Sequence, residues 1–233
     1  MNIKGGFEKA KLYIESKQQN KDQLKKQGLC ITISREPGAG SDLVAENIVE
    51  IINQKFNQQW AIFDKNLIEK IIADNNLSLR LMEYFNQEKY SLMENFINEL
   101  LGLQPSEAKI IKAVSQTILQ IAEIGYSIIV GRGANFITYK LDNSIHIRLV
   151  APLDKRIEHI REHYNFSKQE AMDFINKEDK NRAEFVKKYF KKDINNPIYY
   201  HMTFNTAFVG HEQIANIIID FATNSKYKKY LIN

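Results

Sequence analysis

Glycines, an arginine and short polar side chains come together in the segment 34–42, Ser-Arg-Glu-Pro-Gly-Ala-Gly-Ser-Asp. Glycines let a backbone curl so that successive N–H groups converge on an anion, and a helix that follows adds its positive end. The candidate phosphate-binding residues are therefore Arg35, Gly38, Ala39, Gly40, Ser41 and Asp42. The same composition also suits a plain tight turn between a strand and a helix, so both interpretations stay open for this segment taken alone.

The segment lacks the side chains that complete the commonest phosphate loop, G-x-x-x-x-G-K-[ST]. With Gly40 on the second glycine, Ser41 stands in place of the lysine and Asp42 in place of the hydroxyl residue. In the complete loop the lysine reaches the β- and γ-phosphates, and the hydroxyl holds Mg²⁺. Three roles remain open for Asp42: it caps the following helix, it holds Mg²⁺, or it repels the phosphates.

Short apolar runs alternate with helical patterns along the chain. The strand candidates are 29–34, 60–63, 127–130, 144–150 and 200–205. The helix candidates are 41–56, 64–74, 78–101, a stretch after Pro105, 153–163, 167–191 and 210–224. This alternation predicts a parallel sheet covered on both faces. Ligands of such sheets bind beyond the carboxyl ends of the strands, which is where the segment 34–42 lies.

Six motifs in order resemble the cytidylate kinase-like family. They are Ile31–Gly40, Phe63–Ile68, Ile129–Asn135, Val150–Ile157, Asp179–Arg182 and Asn205-Thr206. The resemblance implies a P-loop NTPase fold, a three-layer α/β sandwich with a five-stranded parallel sheet. It also implies a helical region for a nucleoside monophosphate over 75–105 and a lid over 153–195. The implied reaction transfers the γ-phosphate of ATP, with Mg²⁺, to an acceptor such as CMP.

The same resemblance assigns roles to three arginines. It places Arg132 on the phosphate of the acceptor, Arg156 near ATP and Arg182 near the transferred phosphate, which makes them the candidate catalytic residues. A planar guanidinium fork suits such contacts. Asp179 lies one helical turn before Arg182, and it either bonds a ribose hydroxyl or orients that arginine.

Three further residues are candidates for the site. Asp64 and Lys65 end the second predicted strand, where kinases of this fold hold their acceptor, so both are candidate substrate-binding residues. Arg35 either contacts a phosphate or pairs with Glu36.

The chain departs from the family at Asp42, where the family has an arginine. The missing loop lysine and this aspartate favour a regulatory module that binds a nucleotide without catalysis. The three retained arginines favour a nucleoside-monophosphate kinase, since a pure binding module needs no lid arginine. A kinase for another small acceptor is a third alternative, because a fold does not fix a substrate.

Composition sets the remaining expectations. The chain has 233 residues, 44% apolar residues, a formal charge of +4 and one cysteine, and no apolar run approaches the length that spans a bilayer. We expect a cytoplasmic protein without a membrane segment, whose partners are nucleotides rather than nucleic acids. The core domain is predicted over 29–224. The lysine-rich arm 1–28 is a solvated flank or a nucleic-acid-binding arm, and 225–233 is a basic tail.

Overall fold

A parallel sheet of five strands forms the centre of the computed structural model, which describes residues 27–73 and 105–232. The strands are β1 (Cys30–Arg35), β2 (Ala61–Phe63), β3 (Ser127–Val130), β4 (Ser144–Val150) and β5 (Met202–Asn205). Their order across the sheet is β2-β3-β1-β4-β5, and each neighbouring pair is parallel. The predicted α/β fold with a parallel sheet is therefore confirmed.

Helices connect these strands. They are α1 (Ser41–Phe56), α2 (Lys65–Ala73), α3 (Pro105–Ile124), α4 (Ala134–Ile137), α5 (Leu153–Tyr164), α6 (Lys168–Phe190), α7 (His211–Thr223) and α8 (Lys228–Leu231). A 3₁₀ turn at Pro197–Tyr199 delays the start of β5 by two residues relative to the prediction. The predicted helix 78–101 and most of the arm 1–28 lie outside the described residues. Among the helices of the described ranges, none combines the length and the apolar character needed to cross a bilayer.

Alternate residues of the central strands point into two separate cores. Cys30 and Ile129 belong to the core beneath α2 and α3, whereas Ile31 and Ile128 belong to the core beneath α1 and α7. Successive strand side chains point to opposite faces of a sheet, so runs that are apolar at every position fill both cores. This three-layer packing fixes the strand ends that carry the site.

The segment predicted as a basic tail is folded back onto the sheet. Its lysines are exposed, but Tyr227 and Leu231 are buried in the core that α1 and α7 cover. The backbone N–H of Leu29 donates to the carbonyl of Tyr230 over 2.9 Å. The last helix therefore supports the beginning of β1.

Helices α5 and α6 form a unit with a small core of its own. Ile157 and Ile160 of α5 pack against Ala171 and Ile175 of α6. Ser167 and Glu170 form a reciprocal capping box that starts α6. This pair of helices occupies most of the segment that the sequence predicted as a lid.

Candidate active site at the carboxyl edge of the sheet

The loop between β1 and α1 has the curled backbone that an anion site requires. Gly38 and Gly40 have φ angles of +81° and +67°, a region that glycine enters without steric cost. Gly40 is the N-cap of α1, and no side chain caps this helix. The expectation that Asp42 caps this helix is therefore wrong, so the first N–H groups of α1 face the loop without a side-chain partner at the cap.

Two glycines are required where this loop meets its neighbours. A Cβ at Gly38 would lie 2.6 Å from the carbonyl oxygen of Arg156 in α5. A Cβ at Gly40 would collide with the imidazole of His211, the first residue of α7. Helices α5 and α7 are therefore seated directly on the loop.

Arg35 crosses from the end of β1 to the end of β3. Its guanidinium occupies the space that a Cβ at Gly131 would need. Burial and the nearby Arg182 lower the pKa of Arg35 to about 9, although the Glu178 and Asp64 carboxylates act in the opposite direction. Arg35 thus keeps its charge at neutral pH while it lies largely out of water.

Glu36 has partners other than Arg35. Its carboxylate accepts a 3.0 Å hydrogen bond from the backbone N–H of Ala151 and lies 3.6 Å from Nε of Arg156. Of the two alternatives for Arg35, the pair with Glu36 is therefore wrong. Glu36 instead fastens the loop to the segment that follows β4.

Arg132 lies in a strained turn after β3. Gly131, Arg132 and Gly133 have consecutive positive φ angles of 86°, 55° and 67°. For a residue with a Cβ this conformation costs roughly 1–2 kcal/mol. The Arg132 guanidinium pairs with Glu69 of α2, but its Nε is buried without a hydrogen-bond partner. A strained cation with an unused donor is the arrangement expected of a residue that receives an anion.

The lid arginines are held by acids one turn away or across the helix pair. Arg156 is buried and donates to Asp179 over 2.7 Å. Arg182 donates to the carbonyl of Arg35 over 2.9 Å and to Glu178 over 3.2 Å. Asp179 therefore orients Arg156 rather than Arg182.

Asp64 and Lys65, the two residues that follow β2, differ in role. Asp64 accepts a 2.8 Å hydrogen bond from the N–H of Leu67, so it caps the start of α2. Lys65 contributes to the wall of a cavity beside Arg132.

Two cavities meet at this edge. The inner cavity, of about 240 Å³, lies between the ends of β1 and β3 and helix α6, and includes Ser34, Lys65, Arg132 and Asn135. The loop cavity, of about 120 Å³, lies between the phosphate loop and α5, and includes Gly38, Gly40, Asp42, His159 and His163. Arg35 and Arg182 line both cavities.

Sequence reasoning missed Arg148. It is 4% exposed, and it donates to the Ser34 hydroxyl over 2.9 Å and to the Asn195 amide oxygen over 3.0 Å. Burial lowers its pKa, while Tyr200 and Glu36 raise it. A charged residue near the carboxyl end of an otherwise apolar strand was the available signal. The position of His159 and His163 on the loop cavity was missed as well.

Asp42 is the carboxylate of the loop cavity that is best suited to hold Mg²⁺. Within residues 27–73 and 105–232, no group of three or more His, Cys, Asp or Glu side chains is arranged to hold a metal ion. Mg²⁺ in phosphoryl-transfer sites takes one or two carboxylates and completes its shell with water and substrate phosphates. A single aspartate on the loop cavity fits that requirement, whereas Glu36 is already engaged.

A model of the cytidylate kinase-like family matches residues 30–207. The chain belongs to the cytidylate kinase-like family. The match includes the phosphate loop, the turn at Arg132 and both lid helices, so the resemblance seen in the motifs is confirmed. Family membership supports a nucleotide-kinase type of function, without specifying the substrate.

Solved structures and a curated protein provide further comparisons. A protein from Eubacterium ventriosum described as uncharacterized is 20% identical, with a TM-score of 0.68. The match covers 85% of the present chain and 100% of the Eubacterium chain, and it supports the fold alone. Shikimate kinase from Acinetobacter baumannii, in complex with shikimate, is 13% identical with a TM-score of 0.45, covering 89% and 98% of the two chains. A uronate isomerase from Corynebacterium glutamicum is 23% identical over 115 residues, 49% of this chain but only 22% of that protein. Neither activity is transferred on similarities of this size.

Proposed function

We propose that this protein transfers the γ-phosphoryl group of ATP to a nucleoside monophosphate, with CMP as the first acceptor to test. The observation that carries the proposal is the position of Arg35 and Arg182, which line both cavities. A donor in the loop cavity and an acceptor in the inner cavity would meet at these two guanidiniums. Fixed cations at the point of transfer are the main protein contribution to phosphoryl-transfer catalysis.

The donor side rests on backbone groups and one carboxylate. The phosphates would take N–H groups of the loop and of the first turn of α1, with Gly38 and Gly40 allowing their close approach. Asp42 would hold Mg²⁺, which supplies charge neutralisation to the phosphates when bound. Arg156, placed by Asp179 and Glu36, has a buried Nε without a hydrogen-bond partner, and it would bind ATP from the lid.

The acceptor side rests on Arg132 and Lys65. Both line the inner cavity, and the unpartnered Nε of Arg132 is a donor suited to the oxygen of a monophosphate. Arg182 lies on α6 and contacts the main chain of Arg35, so movement of the lid would carry it toward or away from the transferred group.

The test is formation of ADP from ATP, Mg²⁺ and CMP by the whole chain. Arg182→Ala is expected to lower kcat by roughly a thousandfold or more, the range found for arginines that stabilise transferred phosphates. Arg161→Ala is the matched control, because Arg161 is an exposed arginine of α5 outside the lining of both cavities. Equal rates for the wild type and Arg182→Ala would contradict the proposal.

A non-catalytic nucleotide module is the second candidate, favoured by Ser41 and Asp42 in the loop. Calorimetry with ATP separates it from the kinase. ATP binding without turnover of any common monophosphate would favour the module. Turnover of a different phosphate acceptor would retain the kinase chemistry and replace CMP as its substrate.

A further inference from the structure

The phosphate loop has no lysine, and the guanidinium of its own arginine lies against Gly131 at the end of β3. Ser41 and Asp42 occupy the positions at which a complete loop carries its cation and hydroxyl. Arg35 extends over Gly131, toward the inner cavity. The far end of the loop cavity, beside Gly38 and Gly40, must therefore obtain its side-chain donors from another element.

Helix α5 presents two imidazoles to that end. His159 and His163 are four residues apart, so they lie on one face of the helix. Their rings are nearly parallel, at 8°, with centroids 6.3 Å apart, and both line the loop cavity with Gly38, Gly40 and Asp42. His159 is half-buried and His163 is exposed.

The position of α5 over the loop is fixed by backbone contacts. Gly38 lies against the backbone of Arg156, where a Cβ would come within 2.6 Å of the carbonyl oxygen. Glu36 accepts the N–H of Ala151, just before the helix. His159 and His163 lie one and two turns beyond Arg156, so the same contacts hold the imidazoles over the loop.

A third histidine indicates how closely these groups are placed. His211 covers Gly40. Burial lowers the pKa of His211, the neighbouring His159 lowers it further, and Asp42 raises it. The imidazole of His159 is therefore within electrostatic range of the N-terminus of α1. The ionisable groups that line the loop cavity itself are Arg35, Glu36, Asp42, His159, His163, Tyr164 and Arg182.

We propose that His159 and His163 replace the absent loop lysine and donate hydrogen bonds to the polyphosphate of the donor nucleotide. The proposal rests on the proposed function in one respect only, namely that a nucleotide polyphosphate occupies the loop cavity. Each imidazole has a ring N–H, and hydrogen bonds to charged groups are stronger than those between neutral groups.

The experiment measures the dissociation constants of ATP and of inorganic tripolyphosphate by calorimetry with the whole chain. The double variant His159→Leu/His163→Leu, which has no side-chain donor, is expected to bind both ligands at least about tenfold more weakly, because two bonds to a charged group are lost. His159→Lys/His163→Lys supplies N–H donors again and is expected to bind at least as tightly as the wild type does. Glu162→Gln, on the exposed surface of the same helix, is the control that leaves binding unchanged.

Each outcome has one meaning. Unchanged affinity in the leucine variant overturns the histidine proposal, and so does a loss that lysine fails to restore, since that loss comes from packing. Absence of binding by the wild type overturns both this proposal and nucleotide binding. Tight binding that depends on the histidines, without turnover of any common monophosphate, supports this proposal and contradicts the kinase.

Discussion

Gly38 and Gly210 both lie near the site, but backbone conformation and close packing require a glycine only at Gly38. Gly38 has a positive φ and touches the backbone of α5, which cannot move aside as a flexible side chain would. Gly210 precedes α7 with a φ of −63°, and nothing lies within 4 Å of the position where its Cβ would be. Only Gly38 is therefore required for the packing of α5 against the loop.

Gly38→Ala is therefore expected to lower the free energy of unfolding by roughly 1–2 kcal/mol, the cost of a left-handed residue with a Cβ. It should also weaken ATP binding, because α5 must shift away from the loop. Thermal melting and calorimetry check the two effects. Gly210→Ala is the matched control, and equal melting temperatures for both variants would contradict this account.

Residues of this site were predictable where they follow a predicted strand. Gly38, Gly40 and Arg132 follow apolar strands directly, so their arrival at one edge of the sheet follows from the parallel topology. Arg148 was not predictable, because its role depends on neighbours distant in sequence. Arg148 meets Asn195 only after α5 and α6 have returned the chain to the sheet. The pairing of Asp179 with Arg156 rather than Arg182 depends on the packing of the same two helices.

At the scale of the secondary-structure elements, Asn143 connects three elements that are not consecutive in the sequence. Just before β4, its side-chain amide donates to the carbonyls of Gly28 and Ala122, each over 2.7 Å. Its backbone carbonyl accepts the N–H of Cys30, the first residue of β1. A wholly buried asparagine thus ties the end of α3 to the starts of β1 and β4.

Asn143→Ala is expected to lower the free energy of unfolding by about 2–4 kcal/mol, because two buried carbonyls lose their donor. Urea denaturation measures the change. Asn216→Ala provides the comparison, since Asn216 bonds only the preceding turn of its own helix among the contacts found for it, and alanine is a better helix former. A similar small effect at both positions would show that the carbonyls of Gly28 and Ala122 find other donors.

Secondary structure was most predictable where apolar runs are continuous. β3 and β4 begin and end at the predicted residues. Strands buried on both faces carry nearly continuous apolar runs, and β4 keeps enough of this signal although His146 and Arg148 interrupt it. Helix α4 has four residues, too few for any periodic signal, and was missed. The 3₁₀ turn before β5 moved that boundary. The predicted helix 78–101 and the region 75–105 remain predictions.

At the scale of the whole molecule, a buried histidine and its more exposed neighbour couple stability to pH. His146 is 3% exposed and hydrogen-bonded to Thr32 over 2.8 Å, and its backbone N–H donates to Nδ1 of His201. Nε2 of His201 is paired with the hydroxyl of Tyr227 over 2.7 Å. Burial, together with the nearby His201, lowers the pKa of His146 to about 3. Burial also lowers the pKa of His201, with Lys226 contributing.

The sign follows from proton linkage. Between a pH of about 3 and the ordinary imidazole value near 6.5, the unfolded chain binds a proton at His146 that the folded chain does not. Stability therefore falls as the pH decreases through this window, by up to about 1.4 kcal/mol per pH unit for that one group. Urea denaturation at pH 7, 6 and 5 should show this slope, and His146→Gln should flatten it. Parallel pH profiles for the wild type and the variant would contradict the assignment to His146.

The contact between Leu29 and Tyr230 has a consequence for the order in which the chain folds. β1 is the central strand of the sheet, yet the first backbone bond at its base requires a residue near the far end of the chain. During synthesis, β1 therefore waits with one end unpaired until Tyr230 has been made and has left the ribosome. Contacts of such long sequence separation are formed slowly. Packing of α8 against the start of β1 should thus be a late event, which follows the pairing of strands that were translated first.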